Sequence, residues 1–200
     1  MAADYPVGLL AREAAPPYPG EGPHALWHFS EDPALGLFRP HVPATNPGAE
    51  PLVWAVDTRH APMFWFPRQC PRGCVWPVST TTPEDYERFF GQSTARRVHV
   101  VESGWLGAIR CCRLYAYLMP TEAFGPHGVG GFWVARDEVE ALERVELGDL
   151  LDKHAAAEIE LRVTPSIWPF WDRVATSSLG FSGHRLANAP RPGAPAPVAI

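Results

Sequence analysis

Apolar runs separated by turn signals predict the strands on which the functional argument depends. Residues 25–30 form the first run, with His28 inside it, and residues 31–33 end it because a residue before proline is driven out of the helical region. Residues 52–56 are continuously apolar, which is typical of a strand covered on both faces. We predict that these two strands lie side by side, with the second in the centre of a sheet.

The rest of the pattern predicts further strands and short helices. Strands are predicted at residues 74–78, 97–102, 113–119, 132–135, 139–147 and 159–163, where apolar residues are continuous or alternate. Helices are predicted at residues 59–65, 86–91, 103–109, 149–157 and 168–179, with Thr82 and Ser166 as caps and Gly91 and Gly180 as stops. Residues 38–48 and 125–131 are predicted loops. The mixture predicts an α+β fold with a split, mainly antiparallel sheet and flanking helices.

Composition predicts one globular domain with irregular ends. The chain has 200 residues, of which 46% are hydrophobic and 20% charged, as in an ordinary globular protein. Residues 1–22 are rich in proline and glycine, which disfavour regular structure, so we expect a flexible N-terminal segment there. The Pro/Ala-rich residues 190–200 are expected to be a disordered tail. The single domain is therefore predicted at residues 23–189.

Charge and hydropathy narrow the class of partner. The net charge of −5 comes without a long basic run, so a large nucleic-acid surface or an anionic-membrane surface is not expected. No apolar run approaches the roughly 20 residues that span a bilayer. No basic region with a long apolar stretch occurs near the amino terminus either, so we expect a cytoplasmic protein. Four cysteines are too sparse for a disulfide framework, so we expect reduced thiols.

His28 is the first candidate for chemistry. An imidazole both donates and accepts hydrogen bonds, so at a strand end it can orient a ribose hydroxyl or act as a base. The competing interpretation is a core histidine whose ring is satisfied by the backbone. Phe64 and Trp65 also have two interpretations. Aromatic faces can stack on a flat heterocycle, but aromatic residues more often belong simply to the core.

The long predicted loop at residues 38–48 adds polar candidates, because loops of this length are more often functional than incidental. Arg39, Thr45 and Asn46 are its useful polar groups. His24 and His28 with Asp57 or His60 are conceivable metal ligands, but they fall on strand and loop rather than on one helix face, so no metal is predicted.

Four stretches, in order, resemble a known family. They are His28-Phe-Ser30, residues 52–56 followed by Ala61 and aromatics, Val98-His-Val-Val-Glu102, and Phe132-Trp-Val-Ala-Arg-Asp137. In this order they resemble the ADP-ribosyltransferase fold of the His-Tyr-Glu branch, including the rifampin ADP-ribosyltransferases. The chain from about residue 24 to residue 189 also resembles a family of bacterial proteins of unknown function with a His-Phe-Ser-Glu-Asp-Pro opening.

The resemblance to ADP-ribosyltransferases implies a role for each candidate. It implies that His28 orients the adenosine ribose of NAD, that Ser30 adds a ribose or amide contact, and that Phe64 or Trp65 stacks on nicotinamide. Asp137 is the preferred catalytic acid, with Glu138 and Glu140 as alternatives. Arg39 and Asn46 are predicted to add contacts to the cofactor.

Two functions from different classes follow. The first is an NAD-dependent ADP-ribosyltransferase, in which NAD is a substrate and the acceptor is a small molecule or a macromolecule. The second is a non-catalytic ligand-binding or protein-interaction module of the same fold. The ordered histidine, aromatic residues and acid favour the enzyme. Phe29, which replaces the glycine of the family's His-Gly-Ser, and the missing stacking tyrosine favour the module.

Overall fold

The computed structural model describes residues 25–43, 46–128, 131–191 and 193. Contacts divide the chain into two compact units. The His28 unit comprises residues 25–68 and 112–150, and the His99 unit comprises residues 69–111 and 151–193. The predicted flexible segment at residues 1–22 and most of the predicted tail lie outside the described residues. The boundaries of one domain at residues 23–189 stay a prediction.

Strands and short helices alternate along the described residues. The strands are β1 (Leu26–Ser30), β2 (Leu37–Phe38), β3 (Val53–Asp57), β4 (Arg72–Trp76), β5 (Arg97–Glu102), β6 (Tyr115–Met119), β7 (Gly125–Pro126), β8 (Phe132–Ala135), β9 (Val139–Glu140), β10 (Glu143–Glu146), β11 (Ile159–Thr164) and β12 (Gly180–His184). The α-helices are α1 (Pro83–Phe90), α2 (Leu106–Cys111), α3 (Leu150–Ala156) and α4 (Trp168–Val174). Short 3-10 helices cover Ala61–Phe64, Ser103–Trp105, Thr121–Ala123 and Leu186–Asn188. This composition confirms the predicted α+β class.

The His28 unit is built on a six-stranded sheet with the order β10-β6-β1-β3-β8-β7. All of its strand pairs are antiparallel, and β1 and β3 are the two central strands. The prediction that the first two strands lie side by side is therefore confirmed. One face of this sheet carries a buried core that includes Leu26, Phe38, Val53, Tyr117, Trp133 and Val139.

The short strands β2 and β9 pair with each other outside that sheet. Leu37 lies opposite Glu140 and Phe38 opposite Val139, in antiparallel register. Because Phe38 and Val139 both belong to the buried core, this small ladder is tied to the face of the sheet that the core covers. The ladder fixes where the chain segment after β8 runs.

The His99 unit has a four-stranded sheet with the order β11-β5-β4-β12. Among the strand pairs of the described residues, β5 with β11 is parallel and the others are antiparallel, so the prediction of mainly antiparallel pairing is confirmed. Aromatic residues of α1 and α4 pack on Val75, Val98 and Val100 to form its apolar core.

The opposite face of this sheet carries polar side chains, which are buried except for the partly buried His184. Arg72, Arg97, His99 and His184 lie at alternate positions of neighbouring strands, and His154 approaches from α3. His154 Nε2 lies 3.1 Å from His99 Nδ1, and both rings are almost fully buried. Burial and the neighbouring positive groups hold the pKa of His99 well below its usual value.

One predicted helix is shorter than expected, and a strand was missed. The prediction of a helix over residues 168–179 is wrong after Val174, since α4 ends there and Gly180 begins β12. The hydroxyl of Ser177 donates to the carbonyl of Val174, and the hydroxyl of Thr176 donates to the carbonyl of Arg173. Such local bonds compete with the helical ladder, which explains the early end.

Other differences concern the pairing of short strands. The predicted strand at residues 139–147 is divided into β9 and β10, which pair with β2 and β6 respectively. The change of partner occurs at Ala141, whose N–H donates to the carbonyl of Gly36, and at Leu142, whose N–H donates to the carbonyl of Leu118. The two predicted loops each contain or adjoin a two-residue strand, β2 and β7.

No helix in the described part of the chain is long and apolar enough to cross a membrane.

Candidate functional site

The candidate site begins where the ladder between β1 and β3 stops. Leu26 pairs with Asp57 and Trp27 with Val56, and the pairing does not continue to the next residues. Instead, the imidazole of His28 donates from Nδ1 to the carbonyl oxygen of Trp54, at 2.8 Å. The Trp54 carbonyl therefore accepts from the His28 side chain, where a continued ladder would give it a backbone N–H of β1. The two central strands separate at His28.

This hydrogen bond fixes the tautomer of His28. A carbonyl oxygen only accepts, so Nδ1 must carry the proton and Nε2 of the neutral ring is left as an acceptor. Burial keeps the pKa of His28 below its ordinary value of 6.5, which favours this neutral form near pH 7. Among the described residues, no group donates to Nε2. The ring therefore offers one oriented acceptor.

Two basic side chains, Arg68 and His41, act on this imidazole. The positive charge of Arg68 and the ring of His41 both disfavour protonation of His28 and so help to lower its pKa. Both residues are exposed, and neither side chain has an ion-pair partner in the described part of the chain. The Arg68 guanidinium is therefore positive charge that no described carboxylate pairs, while the Glu31 carboxylate accepts from the Arg68 backbone N–H at 2.6 Å.

The β2–β9 ladder brings the predicted acids to the same region of the unit. Phe38, on β2, contacts the His28 ring with a centroid separation of 4.7 Å, and its strand partner Val139 follows the acidic segment. The segment is held at Glu138, whose carboxylate accepts from Arg39 at 2.8 Å. It is also held at Arg136, which donates to Glu50 at 2.9 Å.

Asp137 differs from its neighbours in this segment. Its side chain is exposed, and in the described residues it has no hydrogen bond or ion pair. Glu138 is already neutralised by Arg39, and Arg39 is therefore an ion-pair partner as well as a predicted ligand contact. Of the three late acids predicted from the sequence, Glu138 is thus the one with an ion pair, and Asp137 keeps an exposed carboxylate without an ion pair among the described residues.

The structure places Phe64, one of the two predicted stacking residues, away from His28. Successive residues of a strand point to opposite faces, so His28 and Phe29 lie on different faces of the six-stranded sheet. The ring of Phe64 stacks on that of Phe29, with centroids 6.0 Å apart and planes 2° apart. Phe64 therefore belongs to the face opposite His28. Trp65, the alternative platform, is partly buried directly after the same 3-10 helix.

Two other predicted contacts have local roles. The hydroxyl of Ser30 accepts from the N–H of Asp32 at 3.1 Å, so it shapes the turn after β1. The N–H of Asn46 donates to the carbonyl of Pro43, and the residue is exposed. Thr45 lies outside the described residues. The predicted ligand contacts of Ser30 and Asn46 stay predictions.

Aromatic residues on the Phe29 face form a group that the sequence did not reveal. Phe132 meets both Phe64 and Trp54 edge to face, with centroids 6.1 and 6.0 Å apart, and His127 meets the Trp54 ring at 4.9 Å. Alternating positions on β1, β3 and β8 place these rings on one face. Only the strand register, which a single sequence does not show, could have identified the group.

A buried acid–histidine pair closes the turn after β3. His60 donates from its backbone N–H and from Nδ1 to the carboxylate of Asp57, at 2.8 and 2.9 Å. Gly131 packs against this pair with a φ of 72°, and a Cβ at this position would lie 2.1 Å from Asp57 Oδ2. Glycine is therefore required at this position on both steric and conformational grounds.

Shallow cavities occur elsewhere, in the His99 unit. Two of them, of about 430 and 420 Å³, share Arg88, Phe89 and Arg162 as lining residues. Arg88 pairs with Glu84 and Arg162 with Glu160, so most of their positive charge is already compensated. These cavities contain none of the predicted site residues. No group of three or more potential metal ligands occurs in the described residues.

The fold and site together define an α+β protein in which a histidine with a fixed tautomer separates two central strands. The chain belongs to a family of unknown function (DUF6886), which it matches over residues 27–189. This confirms the predicted membership of an uncharacterised family, and the match spans both units. The chain matches no curated protein and no solved structure. The likeness to ADP-ribosyltransferases therefore stays a prediction.

Proposed function

We propose that the His28 unit binds NAD or a related nucleotide and that the protein is an ADP-ribosyltransferase-like enzyme. The observation that carries this proposal is the His28 ring. Its Nδ1 proton is committed to the Trp54 carbonyl, so Nε2 can accept a hydrogen bond from a ribose hydroxyl without any change of tautomer. A ring held in this way suits recognition of a neutral hydroxyl donor.

The guanidinium of Arg68 supports a ligand that also carries phosphate. Arg68 and His41 act on the ring, and in the described residues neither has an ion-pair partner. Guanidinium groups bind phosphate oxygens through paired hydrogen bonds, so Arg68 is the residue expected to contact a pyrophosphate. A nucleotide with a ribose and a pyrophosphate would satisfy both features of the site.

The chemistry that we propose is positional and electrostatic. The bond between the ribose C1′ and the nicotinamide nitrogen breaks, its electron pair leaves with nicotinamide, and positive charge develops on the ribose. Asp137 would stabilise that charge or orient the acceptor, whose nucleophilic atom forms the new bond to C1′ as its proton is released. Its lack of a partner among the described residues suits this role, because a paired carboxylate is already neutralised.

One observation favours the second candidate, a ligand-binding or protein-interaction module without catalysis. Phe64 lies on the face of Phe29 rather than that of His28, so the predicted platform for nicotinamide is separated from the ribose-binding ring. A module would bind ADP-ribose about as well as NAD, because it makes no use of nicotinamide. It would also release no nicotinamide.

Calorimetry with NAD and ADP-ribose tests the proposal on the full chain. His28→Gln should raise the Kd for NAD about 5- to 10-fold, because a net hydrogen bond contributes roughly 1 kcal/mol and the amide cannot reproduce the fixed acceptor. His127→Gln is the matched control, since this exposed histidine lies in the same unit and on the other face. It should bind NAD as the wild type does.

Three outcomes would separate the candidates. Binding of NAD that depends on His28, together with release of nicotinamide, supports the enzyme. Binding without release under any acceptor condition supports the module. If neither nucleotide binds to the folded wild type, or if both variants bind equally well, the proposed role of His28 is contradicted.

A further inference from the structure

Phe38 connects the two halves of the candidate site. Its side chain is 6% exposed, and its ring lies 4.7 Å from that of His28 at an angle of 54°. It also meets the ring of Tyr117 edge to face at 5.3 Å, and Tyr117 is the strand partner of His28 on β6. The imidazole is thus held by contact with the Phe38 ring and by its hydrogen bond to the Trp54 carbonyl.

The backbone of the same short strand fixes the acidic segment. Successive contacts run from the carbonyl of Gly36, which accepts from Ala141, through the pairs Leu37–Glu140 and Phe38–Val139, to the ion pair of Arg39 with Glu138. Asp137 is the next residue along the chain. Its backbone position is therefore set by the register of β2 against β9.

We infer that Phe38 is the positioning residue of the His28 site, with its ring orienting His28 and its strand setting the place of Asp137. The inference rests on the proposed function for its catalytic consequence, and on the contacts above for its structural one. Phe38 contacts the histidine and not the reacting atoms, so it acts through the residues that it holds. Neither β2 nor this role is evident from the sequence, in which Phe38 begins a predicted loop.

A buried aromatic ring is suited to this role for two reasons. It is rigid and has few rotamers, so it limits the orientations of the imidazole against which it packs. It also removes water from one side of His28, which contributes to the burial that lowers the pKa of that ring. Leucine would fill part of the same volume but would not present a flat face.

Nuclear magnetic resonance of the full chain tests the positioning role directly. Spectra of Phe38→Leu and of a control, Phe124→Leu, are compared with those of the wild type. Phe124 is 8% exposed in the same core and has no ring contact with His28. We expect Phe38→Leu to raise the His28 pKa towards 6.5 and to shift the backbone amide resonance of Asp137. Phe124→Leu should do neither.

Turnover provides the second measurement. Phe38→Leu should slow nicotinamide release about 10²-fold, as expected for misplaced reacting groups, while Phe124→Leu stays close to the wild type. If Phe38→Leu does not fold, Phe38→Met replaces it in the comparison with the wild type, because the methionine side chain is similar in volume to phenylalanine but flexible.

The possible failures can be told apart. Equal effects of Phe38→Leu and Phe124→Leu on His28 and Asp137 would overturn the inference, even if the wild type turned over NAD. If Phe38→Leu changes the His28 pKa and the Asp137 amide resonance as expected but the wild type binds no NAD, the proposed function fails. The positioning of His28 and Asp137 by Phe38 then stands.

Discussion

Asp137→Asn is expected to bind NAD almost as the wild type does and to release nicotinamide about 10²–10³-fold more slowly, because one preorganised group aimed at developing charge contributes roughly 2.7–4 kcal/mol. The amide keeps the shape of the side chain but removes its charge. The backbone around residue 137 should be unchanged, since the pairs of Arg39 with Glu138 and of Arg136 with Glu50 remain. Binding and chemistry would then separate in one variant.

Release of nicotinamide, measured with and without cell extract as a source of acceptor, checks this expectation. Glu140→Gln is the control, because it changes another exposed carboxylate of the same segment and leaves the pair of Arg39 with Glu138 in place. Its loss of rate should be smaller than that of Asp137→Asn. Equal rates in the wild type and in Asp137→Asn would remove Asp137 from the mechanism.

Acid is expected to destabilise the folded chain strongly below about pH 6.5, the ordinary pKa of histidine. Burial followed by repulsion from neighbouring cations lowers the pKa of His99 well below this value, and burial with the charge of Arg72 lowers that of His184 to about 3. The unfolded chain therefore binds more protons than the folded chain below pH 6.5, so the free energy of unfolding falls as pH falls.

The size of this acid destabilisation depends on the number of histidines whose pKa is lowered in the folded chain. Each buried histidine can lower the free energy of unfolding by roughly 1–3 kcal/mol between pH 6.5 and 4.5, since one unit of pKa shift corresponds to about 1.4 kcal/mol. Urea denaturation at a series of pH values measures it. His184→Asn should flatten the profile by removing one of these groups. A wild-type stability that is constant from pH 7 to 4.5 would contradict the buried, neutral state of these rings.

Two neighbouring strands of the His28 unit, β3 and β8, could be predicted because their sequences are continuously apolar. Residues 52–56 and Phe132–Ala135 have almost no other interpretation, and both are strands, the first shifted by one residue. β12 could not be predicted in this way. It follows hydroxyl residues that end α4 early, and it contains two glycines, which are unfavourable in strands.

The candidate site was only partly visible in the sequence. His28 could be selected because it is a polar residue inside an apolar run. The separation of His28 from Phe64 depends on which face each strand position occupies, and that is fixed by pairing with distant strands. The influence of Arg68 and His41 on the His28 pKa depends on the fold and is not visible in the sequence. The availability of Asp137 depends on the pairing of Arg39 with Glu138 across β2 and β9.

Nitrogen-15 resonance of the His28 ring is the most direct test of the central claim that this imidazole presents an oriented acceptor to a nucleotide. In the free protein at pH 7, Nδ1 should be protonated and Nε2 unprotonated, as the bond to the Trp54 carbonyl requires. Saturating NAD should then move the Nε2 resonance in the direction of a hydrogen-bonded acceptor while Nδ1 keeps its proton. A ring protonated at Nε2, or an Nε2 resonance that NAD leaves unchanged, would contradict the account.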